Sequence, residues 1–148
     1  MSPNKNSNDE NNKETARLSL AKTRMELAKE LLADAKILLE QESFRSANNR
    51  AFYSMEKSVK GILALKGKDS SSHTALMRTF HNEYVSKENS EDACFTKEEY
   101  KMFQTSEMVR TNSDYDDFYI CSKEECMCLV EYAEYYYNKC LDIVESLM

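Results

Sequence analysis

The sequence predicts an all-α fold, an antiparallel bundle of about five helices. Only two glycines and one proline occur among 148 residues, whereas sandwiches, barrels and doubly wound sheets use many of both in their tight turns. Apolar residues recur over long stretches at alternating steps of three and four, which is the helical period. Because Gly61 and Gly67 are isolated, the glycine-rich phosphate loops of the common nucleotide-binding folds are excluded.

The chain divides into a polar tail and one helical domain. Residues 1–14 have no apolar periodicity and predict a disordered tail, while residues 15–148 have the length of one domain. The first helix is expected from Thr15 to about Gln41. Its apolar stripe consists of Leu18, Ala21, Met25, Ala28, Leu32, Ala35 and Leu39.

Small residues mark the second helix, expected from about Phe44 to Lys66, as the central one. They allow neighbouring helices to approach closely and are Ala47, Ala51, Ser54 and Ser58. Gly67 lies where a glycine cap ends a helix. Ser71 or Ser72 can cap the third helix, which is expected over about 73–87.

The fourth helix begins at a capping box and ends before an aspartate-rich segment. Residues 88–95 are polar and predict a connection, after which Thr96 and Glu99 form the S/T-x-x-E arrangement. The helix is expected to continue through about Arg110. The segment TNSDYDDFYI that follows predicts a loop.

A second capping box, Ser122 with Glu125, opens the fifth helix. Its stripe is formed by Cys126, Leu129, Ala133, Tyr136, Cys140, Ile143 and Leu147. The tyrosines and cysteines of this helix also suggest an apolar helix–helix interface in a homodimer.

The charge is acidic overall but unevenly distributed. The net charge is −6, so the field of the whole protein repels nucleic acid. Residues 43–87 contain 8 basic and 3 acidic side chains, whereas residues 88–148 contain 5 and 15. This pattern allows a local anion site, although solvated faces of a charge-complementary bundle explain it as well.

Neither a metal site nor a membrane span is expected. The chain has five cysteines, an odd number, and no signal peptide, which predicts reduced thiols in the cytoplasm. It contains no CxxC motif of the kind that zinc sites use. Asp114, Asp116 and Asp117 leave magnesium coordination open, but the calcium-loop pattern is missing. No apolar run approaches the ~20 residues of a membrane helix. We therefore predict no cofactor, no metal and no membrane.

Two arginines and two histidines are candidates for a functional site. Arg110 and Asp114, four residues apart, can form an ion pair that fastens the following loop. Arg50 must either reach solvent or meet a carboxylate, because burying it unpaired is costly. His73 and His81 have no nucleophile placed beside them by a motif, which favours capping or surface roles.

Three segments, in order, resemble the HEPN domain family (higher eukaryote and prokaryote nucleotide-binding). Residues 46–55, SANNRAFYSM, are similar to its N/S-R-A-Y-Y-A-M-F-H signature. The run KGKDSSSHTALMRTFHNEYV resembles its K-G-x4-S-H segment, and VRTNSDYDDF resembles its h-R-x-x-A-D-Y-D-x-F element, where h is apolar. The resemblance implies a bundle of four to five helices that is usually dimeric.

The resemblance also implies a function. Bacterial members often act with a nucleotidyltransferase encoded beside them in toxin–antitoxin-like modules, and many members cut RNA without metal through an R-x4-6-H motif. Here the positions that follow Arg110 at this spacing are Tyr115, Asp116 and Asp117. We therefore expect a protein that works through a nucleotidyltransferase partner, without an intact ribonuclease motif.

Two alternatives remain open at the level of sequence. One is a metal-independent endoribonuclease whose catalytic candidates are Arg110 with Tyr115 or Asp116. The other is a bundle that binds a nucleotide or small anion through Arg50, Lys57 and Arg110. The binding residues expected from the matching motifs are Arg50, Tyr53, Lys57, His73, Arg110 and Asp114.

Overall fold

The computed structural model describes residues 3–85 and 94–148, and it confirms the all-α bundle. Its described parts contain five helices and no strand. They are α1 Pro3–Glu40, α2 Phe44–Leu65, α3 His73–Phe80, α4 Lys97–Tyr115 and α5 Lys123–Glu145. A π-helical turn, His81–Val85, directly continues α3. The predicted end of the third helix at 86–87 and most of the predicted connection, 88–93, lie outside the described residues.

Helix α2 is central, as its small residues predict. It packs against α1, α4 and α5, and Ser54 donates a hydrogen bond of 2.8 Å to the Ala28 carbonyl of α1. An added Cβ at Gly61 would lie 2.9 Å from the Met25 sulfur. These close approaches show that small side chains set the distance between α1 and α2.

The helix ends follow the predicted caps. Gly67 has a φ of 67°, and the Lys68 amide donates to the Leu63 carbonyl at 3.0 Å, which closes α2. Of the two candidate serines, Ser72 caps α3. Both halves of the Thr96 capping box are formed, whereas the Glu125 carboxylate of the second box accepts from the Tyr119 hydroxyl instead.

Two boundaries differ from the prediction. Helix α1 begins at Pro3 rather than Thr15, so residues 3–14 are helical where we expected a disordered tail. Adding residues to an existing helix forms one backbone hydrogen bond for each residue, so the packed part of α1 can extend into a polar segment. Residues 8–14 of this extension are exposed. Helix α4 continues to Tyr115, beyond the expected end at Arg110, because Ser113 is buried against α2. The segment 111–115 is therefore helix, not loop.

The core is aromatic. Phe103 of α4 lies between Phe52 of α2 and Tyr136 of α5, with ring centroids 6.0 and 5.8 Å away. Cys126 and Cys140 of α5 are also fully buried. Cys126, Tyr136 and Cys140 thus belong to the core, whereas Tyr135 of the same helix is 47% exposed, so the interface expected on α5 stays a prediction.

Candidate functional site

Arg110, five residues before the end of α4, has both carboxylate and aromatic partners. Its guanidinium lies 3.5 Å from the Asp114 carboxylate and 4.0 Å from that of Glu107. Its Cζ lies 4.8 Å from the ring centroid of Phe52 and 5.8 Å from that of Tyr53. The predicted Arg110–Asp114 pair is formed, but within α4, so it does not fasten a loop.

Asp114 connects this pair to a shallow groove at the start of α2. Its carboxylate also accepts a hydrogen bond of 3.3 Å from the Asn49 amide. Arg50 is exposed and forms no ion pair within the described chain, so it reaches solvent. The groove has a volume of about 280 Å³ and is lined by Arg45, Ser46, Asn49, Arg50 and Asp114.

His73, the first residue of α3, packs its ring against the same aromatic surface. Ring centroids lie 5.3 Å away at Phe52 and 5.8 Å away at Phe103. Its Nδ1 lies 3.3 Å from Glu56, while Nε2 is buried without a hydrogen-bond partner. Ser72, not His73, caps the helix. The capping role expected for His73 is therefore wrong, and its side chain is only partly exposed.

Glu56 is held in its charged form. Burial of its carboxylate raises the pKa, but the hydrogen bond with His73 and the charge of Lys60, 3.4 Å away, outweigh burial and leave the pKa lowered. Side chains from three helices thus meet around the Phe52 ring. We call this set the Arg110 cluster: Phe52, Tyr53, Glu56, His73, Arg110 and Asp114.

Comparison with known proteins identifies the family. Residues 21–143 match the model of the HEPN domain. The chain belongs to the HEPN domain family. It is 30% identical over 121 residues to a UPF0332 protein of Thermotoga maritima, with 82% of this chain and 85% of the relative covered. It is also 36% identical over 61 residues to a UPF0332 protein of Pyrococcus horikoshii, covering 41% and 43% of the two chains.

The remaining predicted site residues of this HEPN domain lie apart from the Arg110 guanidinium. Lys57 is half-buried on α2 and forms no ion pair within the described residues. Tyr115 is 76% exposed. The Asp116 carboxylate accepts from the Phe118 amide at 2.9 Å. No hydrogen bond joins Arg110 to Tyr115 or Asp116 in the described parts of the chain.

The sequence reasoning missed the residues that assemble the cluster. Phe52 lies within the matched segment 46–55 and Glu56 directly follows it, but the sequence does not single out either as a site residue. Contacts between α2, α3 and α4 leave no periodic signal within one segment.

The described residues contain neither a metal-binding cluster nor a helix that could cross a membrane. Within residues 3–85 and 94–148, no group of three or more His, Cys, Asp or Glu side chains is arranged to hold a metal ion. The five cysteines are free, and burial raises the pKa of the Cys126 thiol to about 12. Within the same ranges, no helix is both long and apolar enough to cross a bilayer.

Proposed function

We propose that this HEPN-domain protein is a homodimer that works through a nucleotidyltransferase in a toxin–antitoxin-like module and does not cleave RNA itself. Its free thiols fit a reducing cytoplasm. The acidic charge of residues 88–148 favours protein contact over a nucleic-acid track.

One observation supports the absence of ribonuclease activity above the others. The Arg110 guanidinium is engaged by Asp114 and stacked on Phe52, and no histidine follows at the spacing that the family motif requires. A missing general base costs typically 10²–10⁴-fold in rate. The arginine therefore serves this protein by joining α4 to α2.

An RNA cleavage assay in EDTA tests this proposal. Wild type and Arg110→Ala are incubated with mixed cellular RNA, with Arg78→Ala, an exposed arginine on α3, as the matched control. We expect no cleavage by any of them. Cleavage by wild type and Arg78→Ala that disappears in a folded Arg110→Ala protein would overturn the proposal.

Co-purification tests the partner. The tagged chain is co-expressed with the nucleotidyltransferase of its own gene neighbourhood, and a complex of fixed stoichiometry is expected on size exclusion. A neighbourhood that encodes no such enzyme, or an enzyme that elutes separately, would contradict this part of the proposal.

A second candidate function, metal-independent RNA cleavage, is favoured by one contact. His73 and Arg110 both pack on the Phe52 ring, so α3 brings a histidine into the neighbourhood of the arginine. The buried Nε2 of His73 opposes it, since a general base must reach the substrate. In the same assay, cleavage lost in His73→Ala but retained in His81→Ala would establish this function.

A further inference from the structure

The first turns of α1 extend beyond the end of the bundle and leave a cavity beside them. Gly61 of α2 lies against Met25 and Gly67 lies against Arg17, so the turns of α1 before Arg17 lie past the end of α2. The cavity between these turns and the ends of α2 and α5 has a volume of about 470 Å³. This volume is within the range of small-molecule sites.

Three leucines form the apolar side of this cavity. Leu18 of α1 and Leu65 of α2 are half-buried and pack against the core, whereas Leu147, which follows α5, is 61% exposed. An apolar group placed against them would remove the exposed leucine surface from water, which is favourable. We call this site the Leu147 cavity; it is lined by Asn11, Glu14, Thr15, Arg17, Leu18, Leu65 and Leu147.

One carboxylate and one guanidinium lie on the polar side of the Leu147 cavity. Glu14 and Arg17 are three residues apart on α1, which makes their side chains neighbours on one face of the helix. In the part of the chain that the structure describes, neither side chain forms an ion pair or a hydrogen bond. The Thr15 hydroxyl, in contrast, is engaged, since it donates to the Asn11 carbonyl at 2.8 Å. The cavity therefore offers one charge of each sign beside its apolar side.

The Arg17 guanidinium is positioned by the backbone at the end of α2. It lies so close to Gly67 that an added Cβ there would be 2.6 Å from Nη2 and 2.7 Å from Cζ. Gly67 follows the C-terminal end of α2, where the helix dipole is negative and attracts a cation. The guanidinium is thus held beside the cavity, while its N–H groups donate to no acceptor among the described residues.

We propose that the Leu147 cavity binds a free α-amino acid with an apolar side chain. The ligand carboxylate pairs with Arg17, its ammonium group pairs with Glu14, and its side chain packs on the three leucines. Because the carboxylate and the ammonium group are attached to one carbon, two neighbouring side chains on one helix face can engage both. The cavity shares no residue with the Arg110 cluster, and the inference is independent of the proposed function.

The two charges favour a zwitterion over other ligands. A simple anion would be attracted by Arg17 but repelled by Glu14, and a simple cation would be attracted by Glu14 but repelled by Arg17. A neutral apolar molecule would cover the leucines and leave both charged groups beside it without a partner. An apolar α-amino acid provides a partner for each charge and an apolar group for the leucines.

An NMR titration of the full chain tests the ligand class. L-leucine is the probe, and it should shift the methyl resonances of Leu18, Leu65 and Leu147, whereas those of Leu76, buried under α3, should stay unchanged. Isocaproate lacks the ammonium group of leucine, and isoamylamine lacks its carboxylate. Each should bind about tenfold more weakly than leucine, and so should glycine, which lacks the apolar side chain.

Two variants assign the two charges. In Glu14→Gln the preference for leucine over isocaproate should disappear, because the ammonium group has lost its partner. In Arg17→Ala the preference for leucine over isoamylamine should disappear for the corresponding reason. Lys22→Ala and Glu30→Gln, changes at exposed positions of the same helix, are the matched controls and should keep both preferences. Unchanged circular dichroism is expected for all four variants, since these side chains are exposed.

Two results would overturn the proposal. One is the absence of any methyl shift with L-leucine up to about 10 mM, a concentration at which even a weak site is occupied. The other is binding without charge recognition: equal affinity for leucine, isocaproate and isoamylamine, or preferences that Glu14→Gln and Arg17→Ala leave unchanged.

Discussion

The two ends of α4 differ in how their charged side chains are paired: closely at the N-terminal end and only in part at the C-terminal end. At the N-terminal end the Thr96 amide donates to the Glu99 carboxylate at 2.8 Å, and Lys139 of α5 lies 2.7 Å from the same carboxylate. Tyr135 donates to it as well. Glu99 is buried, and its carboxylate accepts hydrogen bonds from these three residues.

At the C-terminal end the charges are only partly neutralised. Arg110 pairs with Asp114 at 3.5 Å, a longer contact than that of Glu99 with Lys139. Asp117 and the apolar side chain of Phe118 follow on the surface. The first end is thus held by a closely paired, buried carboxylate, whereas the second is held by a longer ion pair and leaves large side chains exposed. Mutations at the two ends should therefore differ in their effect on stability.

Replacing Glu99 should give the largest loss of stability. Glu99→Ala removes the acceptor for Thr96, Tyr135 and Lys139, and we expect the free energy of unfolding to fall by about 3 kcal/mol, typical of breaking one side of a buried ion pair. Urea denaturation measures the change. Exposed Glu98 is the matched control, with an expected change within about 0.5 kcal/mol for Glu98→Ala. Equal losses in the two variants would remove the distinction between the ends of α4.

Arg110→Ala should destabilise less, by about 1–2 kcal/mol, through loss of the Asp114 pair and the stacking on Phe52. Arg50 is exposed and has no ion pair in the described structure, so Arg50→Ala should leave stability unchanged. In urea denaturation the double variant Arg110→Ala/Asp114→Ala should lose less than the sum of its single changes. Additive losses would show that the two side chains do not interact.

The Glu56–His73 contact should contribute about 1 kcal/mol to the free energy of unfolding, and this contribution should be lost in acid. Because the folded state lowers the pKa of Glu56 from its ordinary value of 4.5, this contribution is present above that value and is lost as the pH falls through the folded-state pKa. Urea midpoints of wild type and Glu56→Gln, measured at several pH values, should differ at neutral pH and converge in acid. A difference that persists unchanged at the lowest pH would contradict the charged state of Glu56.

Local signals in the sequence predicted most of the fold but little of the site. The Gly67 cap, the Ser72 cap and the Thr96 box depend on neighbouring residues, so they could be predicted. The end of α4 depends on Ser113 reaching Asn48 of α2, 65 positions earlier, and polar residues there indicate a loop when read alone. The Arg110–Asp114 pair was predictable from its i,i+4 spacing, whereas the His73–Glu56 contact joins two helices and was not.

Removing the start of α1 should have the smallest effect on stability, because this helix end has neither the buried hydrogen bonds of Glu99 nor the ion pair of Arg110. Residues 8–14 are exposed, and the hydrogen bond of Thr15 to the Asn11 carbonyl, at 2.8 Å, is local. Deleting residues 1–14 removes helical turns without uncovering the buried stripe that begins at Ala21. We expect the melting temperature to change by less than about 2 °C, measured by circular dichroism. A loss of several degrees would mean that this segment docks on the bundle, and the domain boundary at residue 15 would then be wrong.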